Sequence, residues 1–153
     1  MNPITEELIA PCGINCALCS RYLAYKNKLS RSQCIGCRPA DRNCTYLFGK
    51  CTETNNPPTG KRTFCYECNH YPCQYLNRVD LRYRKNYHTS LIENLERIKR
   101  FGIRQFIEEQ YLKHRCSRCG GLISIHNGKC FVCDEVTKLV EKSNSHRRHA
   151  TSE

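Results

Sequence analysis

Apolar residues in the middle of the chain recur at helical spacing. Leu91, Leu95 and Ile98 stand four and three positions apart, one stripe of an α-helix. Ser90 precedes the stripe and Glu93 follows three positions later, a capping-box pattern in which the hydroxyl caps the first turn and the carboxylate reaches back. Gly102 suits the left-handed residue that ends a helix. A further helix is predicted over roughly 103–113, with Ile103, Phe106, Ile107 and Tyr111 on one face, and an earlier one over roughly 73–86. Near the N-terminus, Leu18, Tyr22 and Tyr25 share a face and predict a short helix over 17–25. Beyond residue 115 the period changes. Residues 122–126 (Leu-Ile-Ser-Ile-His) alternate as a strand does, and Asn127-Gly128 is a two-residue hairpin turn.

The remaining chain has no such periodicity and is punctuated by cysteine. There are fourteen, most in short pairs: Cys12-x3-Cys16-x2-Cys19, Cys34-x2-Cys37, Cys44, Cys51, Cys65-x2-Cys68-x4-Cys73, Cys116-x2-Cys119 and Cys130-x2-Cys133. Residues 52–60, rich in Thr, Asn, Pro and Gly, read as a turn-rich loop. The predicted architecture is a small metal-stabilised α+β fold. It divides into an irregular cysteine-rich region over 1–75, a short helical segment over 76–114, a zinc-ribbon hairpin over 115–135 and a basic, disordered tail over 136–153.

This cysteine content is also that of a disulfide scaffold. Such scaffolds belong to secreted chains. The stretch beginning Met1-Asn2-Pro3 lacks the basic and apolar regions of a secretory signal, and no apolar run reaches the roughly 18 residues of a membrane span. A cytoplasmic protein without membrane contact is expected, with reduced cysteines that hold metal. With no tryptophan and one methionine, the core is small and metal compensates for it. Metal also changes the charge. The formal +11 counts cysteines as neutral. Fourteen thiolates and three Zn²⁺ ions contribute −14 and +6, leaving +3, so only local basic clusters argue for nucleic acid.

Cys116, Cys119, Cys130 and Cys133 have ribbon spacing, because a hairpin returns the second pair to the first. Four thiolates fill a tetrahedral shell, which makes the site structural rather than catalytic. His126 lies between the pairs and is expected to be a surface or packing residue. Upstream, Cys16, Cys19, Cys34 and Cys37 form the first grouping. Cys65, Cys68 and Cys73 then need Cys44 or Cys51, and Cys12 joins by bridging or is a free thiol. About three zinc sites follow. The alternative cofactor is an iron–sulfur cluster at the N-terminal cysteines. Cys12-x3-Cys16-x2-Cys19 has the spacing used by radical S-adenosylmethionine enzymes, but the alternating strands and helices of their larger domains are missing. His70 and His88 read as exposed loop residues rather than ligands. Cys12 and Cys73 are candidates for reactive thiols near metal, and no nucleophile arrangement emerges.

Several of these motifs also occur together in a known family. They are the segment 10–19 (Ala-Pro-Cys-Gly-Ile-Asn-Cys-Ala-Leu-Cys), Cys34-Ile-Gly-Cys37-Arg38, the segment 64–73, Leu81-Arg-Tyr-Arg84 and Ser90-Leu-Ile-Glu-Asn-Leu95. With the C-terminal ribbon, the chain resembles a cysteine-rich prokaryotic family, the group numbered thirty-seven ninety-five among domains of unknown function, in its ribbon-bearing subgroup. The resemblance implies metal binding and no established reaction. Members often carry a cysteine pair before the third cysteine of the middle block. Here Cys44 and Cys51 stand alone and position 41 is Asp41.

Two classes of function remain. One is a non-enzymatic interaction module with a protein partner or weakly bound nucleic acid. The other is an iron–sulfur or thiol-based redox protein or enzyme. Between Leu76 and Arg104 stand eight basic residues against three acids. Arg82, Arg84 and Lys85 are the expected phosphate contacts there, with Tyr83 and Tyr87 available to stack on bases. The opposing expectation is a solvated helix face with both tyrosines turned inward.

Overall fold

The structure is a computed structural model that describes residues 2–31, 33–39 and 64–134. Cys44, Cys51, the loop predicted over 52–60 and the tail predicted over 136–153 lie outside the described residues. Within them, α1 spans Ser20–Lys26, α2 Gln74–Tyr87, α3 Leu91–Phe101 and α4 Ile103–His114, with single 3₁₀ turns at Glu6–Leu8, Cys16–Leu18 and Cys65–Glu67. No helix among the described residues is long and apolar enough to cross a membrane.

The helix predicted over 17–25 divides in two. Asn15 accepts the Ala17 N–H at 3.1 Å and starts a 3₁₀ turn, which ends at Cys19 in an extended conformation before α1 begins. Extended backbone at Cys19 frees its side chain from the helix surface. The other three helices fall close to their predicted limits. Cys73 caps α2, its sulfur accepting the Leu76 N–H at 3.4 Å, and His88 ends the helix at φ 51°. Ser90 caps α3 by accepting the Glu93 N–H at 3.1 Å. The Ser90 hydroxyl then donates to Asp80 at 2.8 Å, and the same carboxylate oxygen accepts the Ile92 N–H at 3.0 Å. Asp80 thereby satisfies donors that a helix start leaves open. Its other oxygen pairs with Arg84 at 2.9 Å, so a buried carboxylate locks α2 to α3. Gly102 has the expected positive φ, 89°, but an extended ψ of 159°. The chain therefore turns directly into α4.

Helix α3 is the centre of the core. Leu91, Leu95 and Ile98 are buried, and around them pack Leu76, Val79 and Tyr83 from α2, Phe106 and Ile107 from α4, and Ile9, Ala17 and Leu18 from the N-terminal region. The turn over residues 10–14 closes through Ala10 N–H to Ile14 O at 2.8 Å and Gly13 N–H to Ala10 O at 2.9 Å. It presses onto α3, where Asn94 donates to the Gly13 carbonyl at 3.0 Å.

The strand predicted over 122–126 is corrected. Among the described residues β pairing is limited to isolated bridges, Ile9 with Asn15, Arg115 with Leu122 and Ile123 with Cys130. Residues 125–127 turn instead, closed by Ser124 N–H to Lys129 O and Gly128 N–H to Ser124 O, both 2.9 Å. The Ile125 N–H leaves the hairpin altogether and donates to Leu18 O at 3.2 Å. A tertiary bond thus replaces the next rung of a ladder, and the β part of the expected α+β fold shrinks to bridges.

Gly13 tests the packing of the N-terminal turn on α3. A Cβ there would stand 2.6 Å from the Leu91 carbonyl oxygen and 3.0 Å from Leu95 Cγ, on a backbone of φ 90°. Gly13→Ala is expected to cost about 2–4 kcal/mol, read as a lower urea midpoint. Gly102→Ala has the same sign of φ with nothing within 4 Å, and should cost only about 1–2 kcal/mol.

Candidate metal centre

Two tight turns carry the C-terminal cysteines. Cys116 follows α4, its N–H bonding Gly121 O at 2.6 Å, and Gly120 closes the first turn with N–H to Cys116 O at 2.8 Å and φ 78°. The second turn is closed by Asp134 N–H to Cys130 O at 2.9 Å. Gly121 sets how near the turns can come. A Cβ there would lie 2.8 Å from Val132 Cγ2 and 3.2 Å from Cys130 Sγ. The sulfurs of Cys116, Cys119, Cys130 and Cys133 consequently all fall within 4.8 Å of one another. Cys116–Cys133 is 3.7 Å and Cys119–Cys130 is 3.5 Å. A tetrahedral ion with sulfur bonds of about 2.3 Å sets its ligands about 3.8 Å apart, whereas a disulfide needs about 2.05 Å. The four residues can hold a metal ion.

The surroundings serve that role. Backbone N–H groups of Arg118 and Cys119 stabilise the Cys116 thiolate and lower its pKa to about 6. Cys133 is exposed, yet partial desolvation and the adjoining thiols of Cys119, Cys116 and Cys130 push it up to about 12. Burial likewise raises Cys130. Four thiolates this close repel each other, and a dication reverses that balance by favouring all four. Gly121 N–H reaches Cys119 Sγ at 3.4 Å. Asp134 accepts the Cys130 N–H at 2.8 Å and pairs with Arg118, so one carboxylate fastens the first turn to the second.

His126 is a packing residue. Its Nδ1 accepts the Ser20 N–H at 3.1 Å, which places the ring proton on Nε2, 3.4 Å from the Tyr83 hydroxyl. Tyr83 and Tyr87 meet the imidazole edge to face at 5.9 and 4.7 Å. Ser20 directly follows Cys19, so this histidine joins the C-terminal module to the N-terminal cysteines.

Upstream, the structure brings Cys16, Cys19, Cys34 and Cys37 together as neighbours. Cys37 N–H donates to Cys16 Sγ at 3.4 Å. The Cys37 sulfur and burial hold the Cys16 thiol well above its usual range, while burial raises Cys19 to about 11, with Cys34 and Cys37 adding to the rise. Cys65 N–H bonds Pro11 O at 2.8 Å, which sets Cys65 beside Cys12, and His70 N–H reaches Cys68 Sγ at 3.4 Å. The His70 and His88 side chains are exposed. Among the described residues, three or more ligand atoms converge within 4.8 Å only at the C-terminal site, and no disulfide forms.

Sequence reasoning missed Arg38. It donates from Nε to Ile9 O at 3.0 Å, lies 5.0 Å over the Phe64 ring, and is close enough to Cys12, Cys16 and Cys65 to interact with their charge. A half-buried guanidinium among cysteines compensates thiolate charge. Its position directly after Cys37 was the available signal. The proposed α2 surface is altered as well. Tyr83 is buried, its ring against Tyr87 and His126, and Arg84 is held by Asp80, while Arg82 and Lys85 are exposed.

Burial lowers the His126 pKa to about 4, below its ordinary 6.5. The unfolded chain therefore binds the proton more readily, and His126 contributes stability above pH 6.5 that is lost as pH falls toward 4. Between pH 7.5 and 5.5 the loss should be about 1 kcal/mol. Urea titrations of the wild type and His126→Gln at both pH values check this: the variant should show the smaller difference.

No curated protein and no solved structure matches the chain. Residues 8–78, which carry the cysteines from Cys12 to Cys73 and the start of α2, match the family model described as "Protein of unknown function (DUF3795)". Over that segment the chain is similar to the DUF3795 family.

Proposed function

We propose that the chain is a cytoplasmic zinc-binding protein and that it acts as an interaction module, not as a catalyst. The convergence of Cys116, Cys119, Cys130 and Cys133 within 4.8 Å carries this reading. An all-thiolate tetrahedral set suits zinc, and four protein ligands leave no coordination position for a substrate.

Two further metal sites belong to the N-terminal cysteines. The Cys16–Cys37 contact supports the group Cys16, Cys19, Cys34 and Cys37. Cys65, Cys68 and Cys73 form the second group with Cys44 or Cys51 as the fourth donor, and Cys65 lies beside Cys12. A second reading places an iron–sulfur cluster here, and Arg38 would offset the negative charge of either a cluster or a zinc thiolate site.

Native mass spectrometry and elemental analysis of anaerobically purified protein test both readings. Three zinc ions per chain and a colourless sample are expected. Iron with broad visible absorption would replace the N-terminal part of the proposal. Cys119→Ser should remove one metal and open residues 115–134 to proteolysis, while far-UV circular dichroism keeps its helical signal. An unchanged metal count in that variant would refute the C-terminal site.

A further inference from the structure

Helix α3 ends on a run of strongly basic sequence. Residues 97–104 read Arg-Ile-Lys-Arg-Phe-Gly-Ile-Arg, four cations and no acid. Gly102 turns the chain sharply there, so the run occupies the outer corner between α3 and α4 rather than one helix face. Phe101 sits at the apex and is 44% exposed. Two guanidiniums lie near its ring, Arg97 at 5.4 Å and Arg100 at 5.1 Å from the centroid.

The cations differ in what they already bind. Arg97 is committed to Glu109 through bonds of 3.0 and 2.6 Å, so it fixes the phenyl ring and adds little net charge. Lys99, Arg100 and Arg104 are exposed and form no ion pair among the described residues. The helix α2 surface differs on each count, with Tyr83 buried and Arg84 paired. The corner therefore combines a partly exposed aromatic ring with three positive charges that form no ion pair among the described residues. A polyanion with exposed flat bases complements both features, since stacking needs an unpaired base and the cations need phosphates. An acidic protein would use the charges and leave the ring without a flat partner.

We propose that the α3–α4 corner is a binding surface for single-stranded nucleic acid, with Phe101 stacking on a base and Lys99, Arg100 and Arg104 contacting phosphates. This rests on the interaction-module reading. The metal content of every variant is measured alongside binding, so that failure of the metal sites and failure of this surface are read separately.

The probe is a fluorescein-labelled 15-nucleotide oligothymidylate, followed by anisotropy with metal-loaded full-length protein at several salt concentrations. Phe101→Ala should weaken binding about tenfold with the salt dependence kept, because it removes stacking and no charge. Arg100→Ala with Arg104→Ala should reduce the slope of log affinity against log salt by about 1.4, near 0.7 for each lost phosphate contact on a single strand. Arg82→Ala with Lys85→Ala on α2 should leave both quantities near wild type. Duplex of the same length should compete poorly, since its bases are already stacked. Equal binding by Phe101→Ala and wild type would overturn the proposal. So would an α2 variant that loses as much as the corner variant, or competition by polyglutamate as strong as by unlabelled oligonucleotide, which would point to an acidic protein.

Discussion

The close approach of the N-terminal turn to the backbone of α3 is the contact on which the other packing depends. Gly13 lies so near the Leu91 carbonyl that no side chain fits between them. The residue bearing this contact has cysteines on both sides, Cys12 at the same turn and Cys16 in the 3₁₀ turn that follows. The irregular region thus borrows a rigid helical surface, because it has too few apolar residues to make its own core. Asn94, whose amide bonds the Gly13 carbonyl, fixes the register of the contact.

From α3 outward, order is passed on by buried polar groups as much as by apolar ones. Asp80 takes the hydroxyl of Ser90, the N–H of Ile92 and the guanidinium of Arg84, which joins two helices across a short connection. His126 does the same between modules, receiving the N–H of Ser20 while two tyrosine rings enclose it. Each is a satisfied group in a low-dielectric setting, where losing one partner leaves another without a bond. In a chain with so little core, such links decide the relative placement of elements that hydrophobic contact alone would leave loose.

The cysteine turns follow the same logic at smaller scale. Their sulfurs are directed by backbone N–H groups and, at the C-terminus, by the Asp134 bridge to Arg118. That network belongs to the chain itself. These bonds help orient the ligands, and a bound dication would in addition favour four thiolates that otherwise repel one another.

Local chemistry was enough to read several parts from the residues alone. The limits of the three long helices follow from apolar spacing, the Ser90 cap and Gly102, because a helix depends mainly on neighbours within a turn. The C-terminal ligand set follows from two short pairs joined by a tight reversal, since the pairs are close in sequence and can meet in one way. Contacts between distant segments were not legible. The strand expected after Leu122 is cut short by a bond from Ile125 to Leu18, more than a hundred residues away in sequence. Burial of Tyr83, capture of Arg84 by Asp80 and the place of Arg38 among cysteines depend on which surfaces face each other. Phe101 reads in sequence as one more apolar residue near a helix end, and only the sharp turn at Gly102 leaves its ring partly exposed beside two guanidiniums. Periodicity and pair spacing are properties of a short stretch of chain. The surface a side chain finally meets is set by packing of the whole, which only the tertiary structure decides.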